Sequence, residues 1–385
     1  TSAIELDDAD GDGAPDAVEE IAGTDPSSPL DNPFVNGDFV FHVPYLADPV
    51  PAVDTVVMGT SITQADVYFL IDTSWSMQHE IDGVRDGLTG TIMPGLLAEI
   101  DDVQLGAGEF DICPEMNHLS GGLQVDCVGI GNGQSITSDV EAVRGALGSM
   151  TANCGTPEPY GQGVWLFATG DTTRWPSLAP RDCAYGPDER APVGYPCVRP
   201  DALPILVVIG DEPYREGERC ARAAPGAFVP SVTEVTDAMN DIGGKVIVIG
   251  RTANSDQWTD IALGTGSVDG TGAPLLFPAS YGGSRIGGEI VDAVTTLANQ
   301  IPLDVSARVK DLDDDEEVDA TIFVDRVVPN VEGGFEDPRG TGLVCVAGLS
   351  VSGDSFIAVE PGTPVCFDIY PAINETVPEG VFRAS

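Results

Sequence analysis

The chain has 385 residues, of which 17 are basic and 62 acidic, and its formal net charge is −45. So large a negative charge argues against nucleic acid and anionic membrane as partners, because both are negatively charged themselves. Hydrophobic residues make up 42% of the chain, which is enough for well-formed cores, and the length is typical of two or three domains.

Acidic residues recur through residues 8–19 with the spacing of a calcium-binding loop. The twelve-residue template places oxygen ligands at positions one, three, five, seven, nine and twelve, and glycine at position six. Gly13 takes the glycine position, and the ligand positions hold Asp8, Asp10, Asp12, Ala14, Asp16 and Glu19. Because crowded carboxylates repel one another, the pattern predicts bound Ca²⁺. An acidic disordered tail is the alternative.

Residues 20–26, which follow this loop, resemble a bacterial calcium-binding repeat of the thrombospondin type 3 kind. The resemblance implies a structural calcium brace within residues 1–31. A sensor is not expected, because a lone loop has no partner hand to open. Residues 32–62 are rich in proline and in short apolar pairs, which predicts an extended linker or edge strands.

Residues 63–301 alternate apolar strands with amphipathic helical patterns. Strands are predicted at 67–71, 103–110, 204–210 and 245–249. The first helix carries apolar residues at steps of three and four, with a kink expected at Pro94; they are Ile81, Val84, Leu88, Ile92, Leu96 and Ile100. Capping boxes at Ser138 and Ser231 open later helices. The alternation predicts a doubly wound, mostly parallel α/β sheet.

The strongest chemical signal is Asp72-Thr73-Ser74-Trp75-Ser76, directly after the first of these strands. A carboxylate and two hydroxyls at alternate positions form an oxygen-rich cup that suits Mg²⁺, Mn²⁺ or Ca²⁺. Taken alone, the motif also fits an N-cap or Asx turn. Trp75 either contacts a partner or packs over the first helix.

This motif resembles the metal-ion-dependent adhesion site of von Willebrand factor A domains, in which Asp-x-Ser-x-Ser is followed by a distant Thr and a distant Asp. Thr156, in a Gly-Thr loop, and Asp211, at the end of an apolar strand, match the two distant members. All three segments would lie at the carboxyl ends of parallel strands, where open α/β sheets bind ligands.

The resemblance implies a Rossmann-like fold and a role for each matched residue. Ser74 and Ser76 would bind the ion directly, Thr156 would bind it directly or through water, and Asp72 and Asp211 would hold its waters. With few anionic ligands in reach, the ion would stay electrophilic, and an acidic group from a partner would complete its octahedron.

Two insertions interrupt the α/β pattern. Residues 113–135 are rich in glycine, but no helix pattern follows them directly, so a dinucleotide-binding loop is disfavoured. Residues 171–200 concentrate arginines among prolines and cysteines. They are expected either to border the metal face and help choose a partner, or to pair with the protein's own acids.

Eight dispersed cysteines form no C-x-x-C pair and stand near no histidine cluster, which argues against zinc and thioredoxin-like chemistry. An even number favours disulfides and an oxidising compartment. Spacing suggests four pairs, with free buried cysteines as the alternative: Cys113 with Cys127, Cys183 with Cys197, Cys345 with Cys366, and Cys154 with Cys220.

From residue 302 onward the hydrophobic period changes to two, which predicts short strands. Residues 302–385 resemble the immunoglobulin-like β-sandwich that trails the A domain in exported proteins of myxobacteria-like bacteria. Residues 382–385 look like the start of a strand, so the sandwich is expected to be incomplete, with an open edge at residues 375–385 that another chain could fill.

These features together predict an extracellular or surface-exposed bacterial adhesion protein, not an enzyme, that captures an acidic group of a protein or surface ligand. No apolar stretch is long enough to cross a membrane. The alternative is a structural subunit of an extracellular filament or coat, which would pair strands with copies of itself. A metal-dependent hydrolase would need a positioned base near Asp72, which the sequence does not show.

Overall fold

The computed structural model describes residues 7–12, 14–33, 41, 43–113, 129–152, 158–175, 178–184, 190–214, 218–223, 226–250, 255–278, 285–311 and 319–376. The chain divides into two compact units. One unit is Ile62–Ile301, and the other combines Thr1–Ser61 with Pro302–Ser385.

Both strands and helices occur in the described ranges. In chain order, the strands are β1 (Asp54–Met58), β2 (Gln64–Asp72), β3 (Asp102–Phe110), β4 (Ile130–Thr137), β5 (Leu203–Gly210), β6 (Lys245–Gly250), β7 (Leu276–Phe277), β8 (Leu303–Ser306), β9 (Val324–Pro329), β10 (Val351–Ser352), β11 (Ser355–Val359) and β12 (Val365–Pro371). The α-helices are Asp16–Ala22, Gln78–Gly87, Met93–Leu96, Val140–Ser149, Tyr160–Thr169, Glu218–Ala223, Val232–Asp241, Asp256–Gly264 and Ile286–Gln300.

The unit Ile62–Ile301 is built on a mostly parallel six-stranded sheet in the order β4-β3-β2-β5-β6-β7. β2 lies between β3 and β5, and it runs parallel to both. Its residues 65–72 are all buried, as are those of β5 from Pro204 onward. Helices in two groups pack around this sheet, one including Gln78–Gly87 and Ile286–Gln300, the other Tyr160–Thr169 and Val232–Asp241. The α/β prediction with a mostly parallel sheet is confirmed.

The first helical pattern is interrupted where proline enters it. A π-helical turn, Leu88–Ile92, separates Gln78–Gly87 from Met93–Leu96, and Pro94 lies in the first turn of the latter. Proline has no N–H for the helix ladder, and the extra residue of a π turn accommodates the break. All six predicted apolar residues of this face are buried, at most 1% exposed.

Of the two predicted capping boxes, the one at Ser231 is confirmed. Ser231 Oγ accepts a hydrogen bond from the Glu234 N–H, and the Glu234 carboxylate accepts one from the Ser231 N–H. The box at Ser138 is wrong, because Asp139 is the N-cap there. Its carboxylate accepts from the N–H groups of Glu141 and Ala142 at 3.0 and 3.1 Å, so the helix begins one residue later.

The glycine-rich segment from residue 129 is part of the sheet and does not form an inserted loop. From Ile130 onward its residues belong to β4, which pairs antiparallel with β3. Tyr68 of β2 donates a hydrogen bond to Asn132 Oδ1 at 2.8 Å, and it crosses β3 at Gly108. A Cβ at Gly108 would stand 2.1 Å from the Tyr68 hydroxyl oxygen, so the strand needs glycine there.

The other unit contains two three-stranded antiparallel sheets, β1-β12-β9 and β10-β11-β8. Phe356 of one sheet and Phe367 of the other meet edge to face with ring centroids 5.2 Å apart. Val359 and Val365 complete this core, so the two sheets share one apolar interior. β1 comes from the segment that the sequence presented as a linker or edge strands. Residues 312–318, an acidic stretch of the sequence between β8 and β9, lie outside the described residues.

Two of the predicted disulfides are confirmed and two are wrong. Cys183 is bonded to Cys197 and Cys345 to Cys366. Cys113 pairs with Cys220, not with Cys127, so Cys154 cannot pair with Cys220 either. Spacing favoured a neighbour in sequence, but the sheet brings the loop after β3 to the helix after β5, 107 residues away. Cys127 and Cys154 lie outside the described residues. The disulfides indicate an oxidising compartment.

The arginines of residues 171–200 contact the protein itself. Arg199 pairs with Asp66 at 2.8 Å and with Asp102 at 2.6 Å, near the amino ends of β2 and β3. This is the opposite end of the sheet from Asp72, so Arg199 follows the second expectation for residues 171–200, pairing with the protein's own acids, and does not border the metal face. Arg190 pairs with Asp201, and Arg174 lies over the Phe228 ring. Within the part of the chain that the structure describes, no helix has the length and apolarity needed to cross a membrane.

Candidate metal sites

The first candidate site lies at the carboxyl ends of β2 and β5. Ile71 of β2 stands opposite Ile209 of β5 in parallel register, so Asp72 and Asp211 follow at the same edge of the sheet. Asp72 is completely buried and Asp211 is half-buried. The sheet thus brings together two carboxylates that are 139 positions apart in the sequence.

A third carboxylate, which the sequence reasoning missed, completes this cluster. Asp72, Glu158 and Asp211 each offer one oxygen, and these oxygens all lie within 4.8 Å of one another. Glu158 precedes the helix Tyr160–Thr169, and its Oε2 is buried with no hydrogen-bond partner in the described part of the chain. An acid two residues beyond Thr156, just before a helix, was the signal available in the sequence.

The predicted hydroxyl ligands differ in their surroundings. Ser74 is only 3% exposed, and its Oγ is buried without a hydrogen-bond partner among the described residues. A buried hydroxyl without a partner is costly, and a bound ion would satisfy it. Ser76 is exposed. Thr156 lies outside the described residues, so its place in the site stays a prediction.

Asp72 is held in position from two sides. The Ser74 N–H donates to its Oδ1 at 2.7 Å, and the Tyr160 hydroxyl donates to its Oδ2 at 3.3 Å. Tyr160 also accepts a hydrogen bond from the Glu212 N–H at 3.4 Å, which links the β2 loop to the β5 loop. A Cβ at Gly210 would stand 2.1 Å from the Tyr160 oxygen, so β5 must end in glycine for this contact to form.

The electrostatics of this cluster are unfavourable without a cation. The pKa of Asp72 is raised to about 7: burial is the largest cause, hydrogen bonding by Ser74 opposes the rise, and the charge of Asp211 adds to it. Burial, followed by the charges of Asp72, Asp211 and Glu212, raises the pKa of Glu158 to about 9. A divalent cation would remove both the repulsion and the need for protons. The oxygen-only ligand set fits Mg²⁺, Ca²⁺ or Mn²⁺.

Cation binding at this site is therefore expected to release protons and to weaken as the pH falls. Because the pKa values of both Asp72 and Glu158 are raised, the ion displaces protons that this pair of carboxyl groups holds in the ion-free site. Calorimetry in buffers of different ionisation enthalpy, from about pH 6 to 9.5, measures the released protons. An affinity that stays constant across this range would contradict the assignment.

The same shifts predict how the stability of the ion-free protein depends on pH. Both folded-state pKa values lie above the ordinary values of 3.8 and 4.5. The folded state therefore holds more protons than the unfolded chain between about pH 4 and 9, and stability falls as pH rises through this window. Added cation should cancel the loss.

The second candidate site is the amino-terminal loop, whose backbone turns its acids inward. The N–H groups of Gly11, Asp12 and Ala14 donate to Oδ1 of Asp8, Asp10 and Asp12 at 2.7, 3.2 and 2.8 Å. The carboxylates of these three aspartates each offer an oxygen within 4.8 Å of the others. The Oδ2 atoms of Asp10 and Asp12 are buried and have no hydrogen-bond partner among the described residues.

Glu19 is the residue of this loop whose surroundings favour a bound cation most strongly. It lies in the helix Asp16–Ala22, its side chain is 0% exposed, and neither carboxylate oxygen has a hydrogen-bond partner in the described ranges. Burial, followed by the charges of Asp12 and Asp10, raises the pKa of Glu19. Asp16 accepts from the Ala9 N–H at 2.7 Å and closes the loop. The residues present fit Ca²⁺ at the twelve-residue template positions.

Trp75, between the two serines of the first site, is 75% exposed. It therefore does not pack over the first helix, which was one of the two expectations for this residue. A small cleft, open to solvent, also borders the first site, and its lining includes Glu158, Tyr160, Glu212 and Tyr214.

Comparison with known proteins adds no family assignment: no protein-family model matches the chain, and no curated protein matches it either.

Proposed function

We propose that this chain is an exported bacterial adhesion protein that binds an acidic group of a partner through a divalent cation. Mg²⁺ or Ca²⁺, with Mn²⁺ as a substitute, would be held by Asp72, Ser74, Glu158 and Asp211. Ser76 and Thr156 join this set through the resemblance to a von Willebrand factor A domain. The observation that carries the proposal is the hydroxyl of Ser74, which is buried and has no hydrogen-bond partner among the described residues. Ser74 lies on the same loop as Asp72, one of the three clustered carboxylates.

The ion would supply a positive centre for a partner's carboxylate, and the chain's own residues hold the ion's ligands in position. Tyr160 and the Ser74 N–H fix the orientation of Asp72, so little reordering accompanies ion binding. Glu158 makes the site more anionic than the sequence motif suggested. The ion would consequently be less electrophilic than expected from two carboxylates, which restricts the partners that it can hold.

The amino-terminal loop has a separate proposed role as a calcium brace. Five acids converge on a short segment, and Glu19 is buried among them with no protein partner for its oxygens in the described part of the chain. Ca²⁺ would neutralise this repulsion and hold the loop against the helix Asp16–Ala22. This role is structural, and it does not require a partner protein.

We assign no catalytic role to these residues, because the proposal uses them to hold the ion. The filament alternative depended on an open edge at residues 375–385, of which 377–385 lie outside the described residues. The adhesion proposal is favoured because it rests on the geometry of Asp72, Ser74, Glu158 and Asp211.

Paired peptide arrays test the adhesion proposal, each pair differing only in Asp against Asn or Glu against Gln. We expect the protein to bind acidic members in Mg²⁺ and to lose at least about tenfold in affinity for the amide members, in EDTA, or in Ser74→Ala. Ser138→Ala, which removes an exposed hydroxyl outside the site, is the matched control. Equal binding to acid and amide peptides in Mg²⁺ would refute ion-mediated capture.

A further inference from the structure

Trp75 differs from the other tryptophans of the chain in its exposure. Trp175 and Trp258 are buried, at 2% and 1% exposed, and Trp165 packs against Trp175 and Phe228. Trp75 is 75% exposed. An exposed indole does not contribute the stabilisation that burial of its apolar surface would give. We therefore expect Trp75, at the proposed ion site, to have a function.

The backbone on both sides of Trp75 is well anchored. Ser74 on one side and Met77 on the other are buried, at 3% and 1% exposed. The Met77 N–H donates to the Ser74 carbonyl at 3.0 Å, which closes the turn around the indole. Trp75 is thus an exposed aromatic ring on a fixed loop whose flanking serines are both proposed ion ligands. A group that reaches the ion from solvent arrives beside it.

Charge indicates what kind of partner this face accepts. A divalent ion leaves one negative charge among the carboxylates of Asp72, Glu158 and Asp211, and a partner's carboxylate would add another. The whole chain carries −45, so an acidic partner would be repelled as it approaches within the screening length of the solvent. A basic partner is attracted, and a Lys or Arg is also the group that binds best over an indole face.

We propose that the partner is a basic protein surface that presents a single carboxylate to the ion and a neighbouring Lys or Arg to Trp75. This inference rests on the proposed function and deepens it by naming the partner class. Trp75 acts as the anchor beside the ion, in keeping with the frequency of tryptophan among the residues that dominate binding energy at protein interfaces.

Three fluorescently labelled peptides test the proposal by anisotropy, with the Mn²⁺-loaded protein. The first has one aspartate between arginines, the second has asparagine in its place, and the third has aspartate between serines. We expect the first to bind at least about fivefold more tightly than either of the others. Trp75→Ala should reduce the preference for arginine over serine by about threefold or more, with unchanged Mn²⁺ affinity.

Leu263→Ala is the matched control, because it removes a side chain that is 51% exposed elsewhere in the same unit, and it should leave all three affinities unchanged. A preference for arginine that is unchanged in Trp75→Ala, or tighter binding of the serine peptide, overturns the inference alone. Absence of Mn²⁺ binding, or equal binding of the aspartate and asparagine peptides, overturns the proposed function and the inference with it.

Discussion

Asp72→Asn should weaken Mg²⁺ or Mn²⁺ binding at the first site by at least about a hundredfold, because it removes a fully buried anionic ligand. Asparagine keeps the shape of the side chain and can still accept from the Ser74 N–H. In EDTA at about pH 9 the same change should stabilise the protein by about 1–3 kcal/mol, since the buried charge and its repulsion disappear. The same substitution is therefore expected to weaken ion binding and to stabilise the ion-free protein.

Mn²⁺ titration followed by water-proton relaxation gives the affinity, and urea unfolding with and without EDTA gives the stability. Asp101→Asn, which neutralises an exposed acid of the same unit, is the matched control and should change neither quantity appreciably. If Asp72→Asn destabilised the protein equally with ion and in EDTA, Asp72 would be a structural hydrogen-bond acceptor rather than an ion ligand.

Glu19→Gln should abolish most Ca²⁺ binding at the amino-terminal loop, with a loss of at least about tenfold in affinity. Its carboxylate is completely buried among Asp8, Asp10, Asp12 and Asp16, and an uncharged amide cannot take the place of the bidentate ligand at the twelfth position. Calorimetric Ca²⁺ titration should show one binding event fewer than in the wild type, while Mn²⁺ binding at Asp72 remains.

Glu20→Gln serves as the control for this loop, because Glu20 is the next residue of the same helix but is exposed. It should bind Ca²⁺ like the wild type. Unchanged Ca²⁺ stoichiometry in Glu19→Gln would contradict the brace, and a loss of both binding events would show that the two sites do not act independently.

Much of the α/β unit could be predicted from the sequence, because buried parallel strands and amphipathic helices leave strong periodic patterns. The apolar runs that became β2, β5 and β6 have no competing interpretation. The sequence pattern gave a wrong prediction where a contact within the sheet outweighed the local conformational preference of the residues. Residues 130–133 looked like part of a loop because of their glycines, yet they lie in an edge strand that accommodates Tyr68 and its hydrogen bond to Asn132.

The candidate ion site was only partly predictable. Asp72, Ser74 and Asp211 stood out because each follows a recognisable strand in a recognisable order. Glu158 did not stand out, because acidic residues are common at the amino-terminal ends of helices, where they interact favourably with the helix dipole. Its place in the cluster follows from the contact between Tyr160, at the start of the next helix, and Asp72. The Cys113 to Cys220 bond was missed for a related reason: contacts across strand ends are invisible to sequence spacing.

The most direct measurement is the anomalous difference map of a crystal of the protein soaked in Mn²⁺. The proposal predicts a peak within about 2.0–2.6 Å of oxygens from Asp72, Ser74, Glu158 and Asp211, or of waters that these residues hold. A map with no peak at the carboxyl ends of β2 and β5, at a Mn²⁺ concentration that fills the amino-terminal loop, would contradict it.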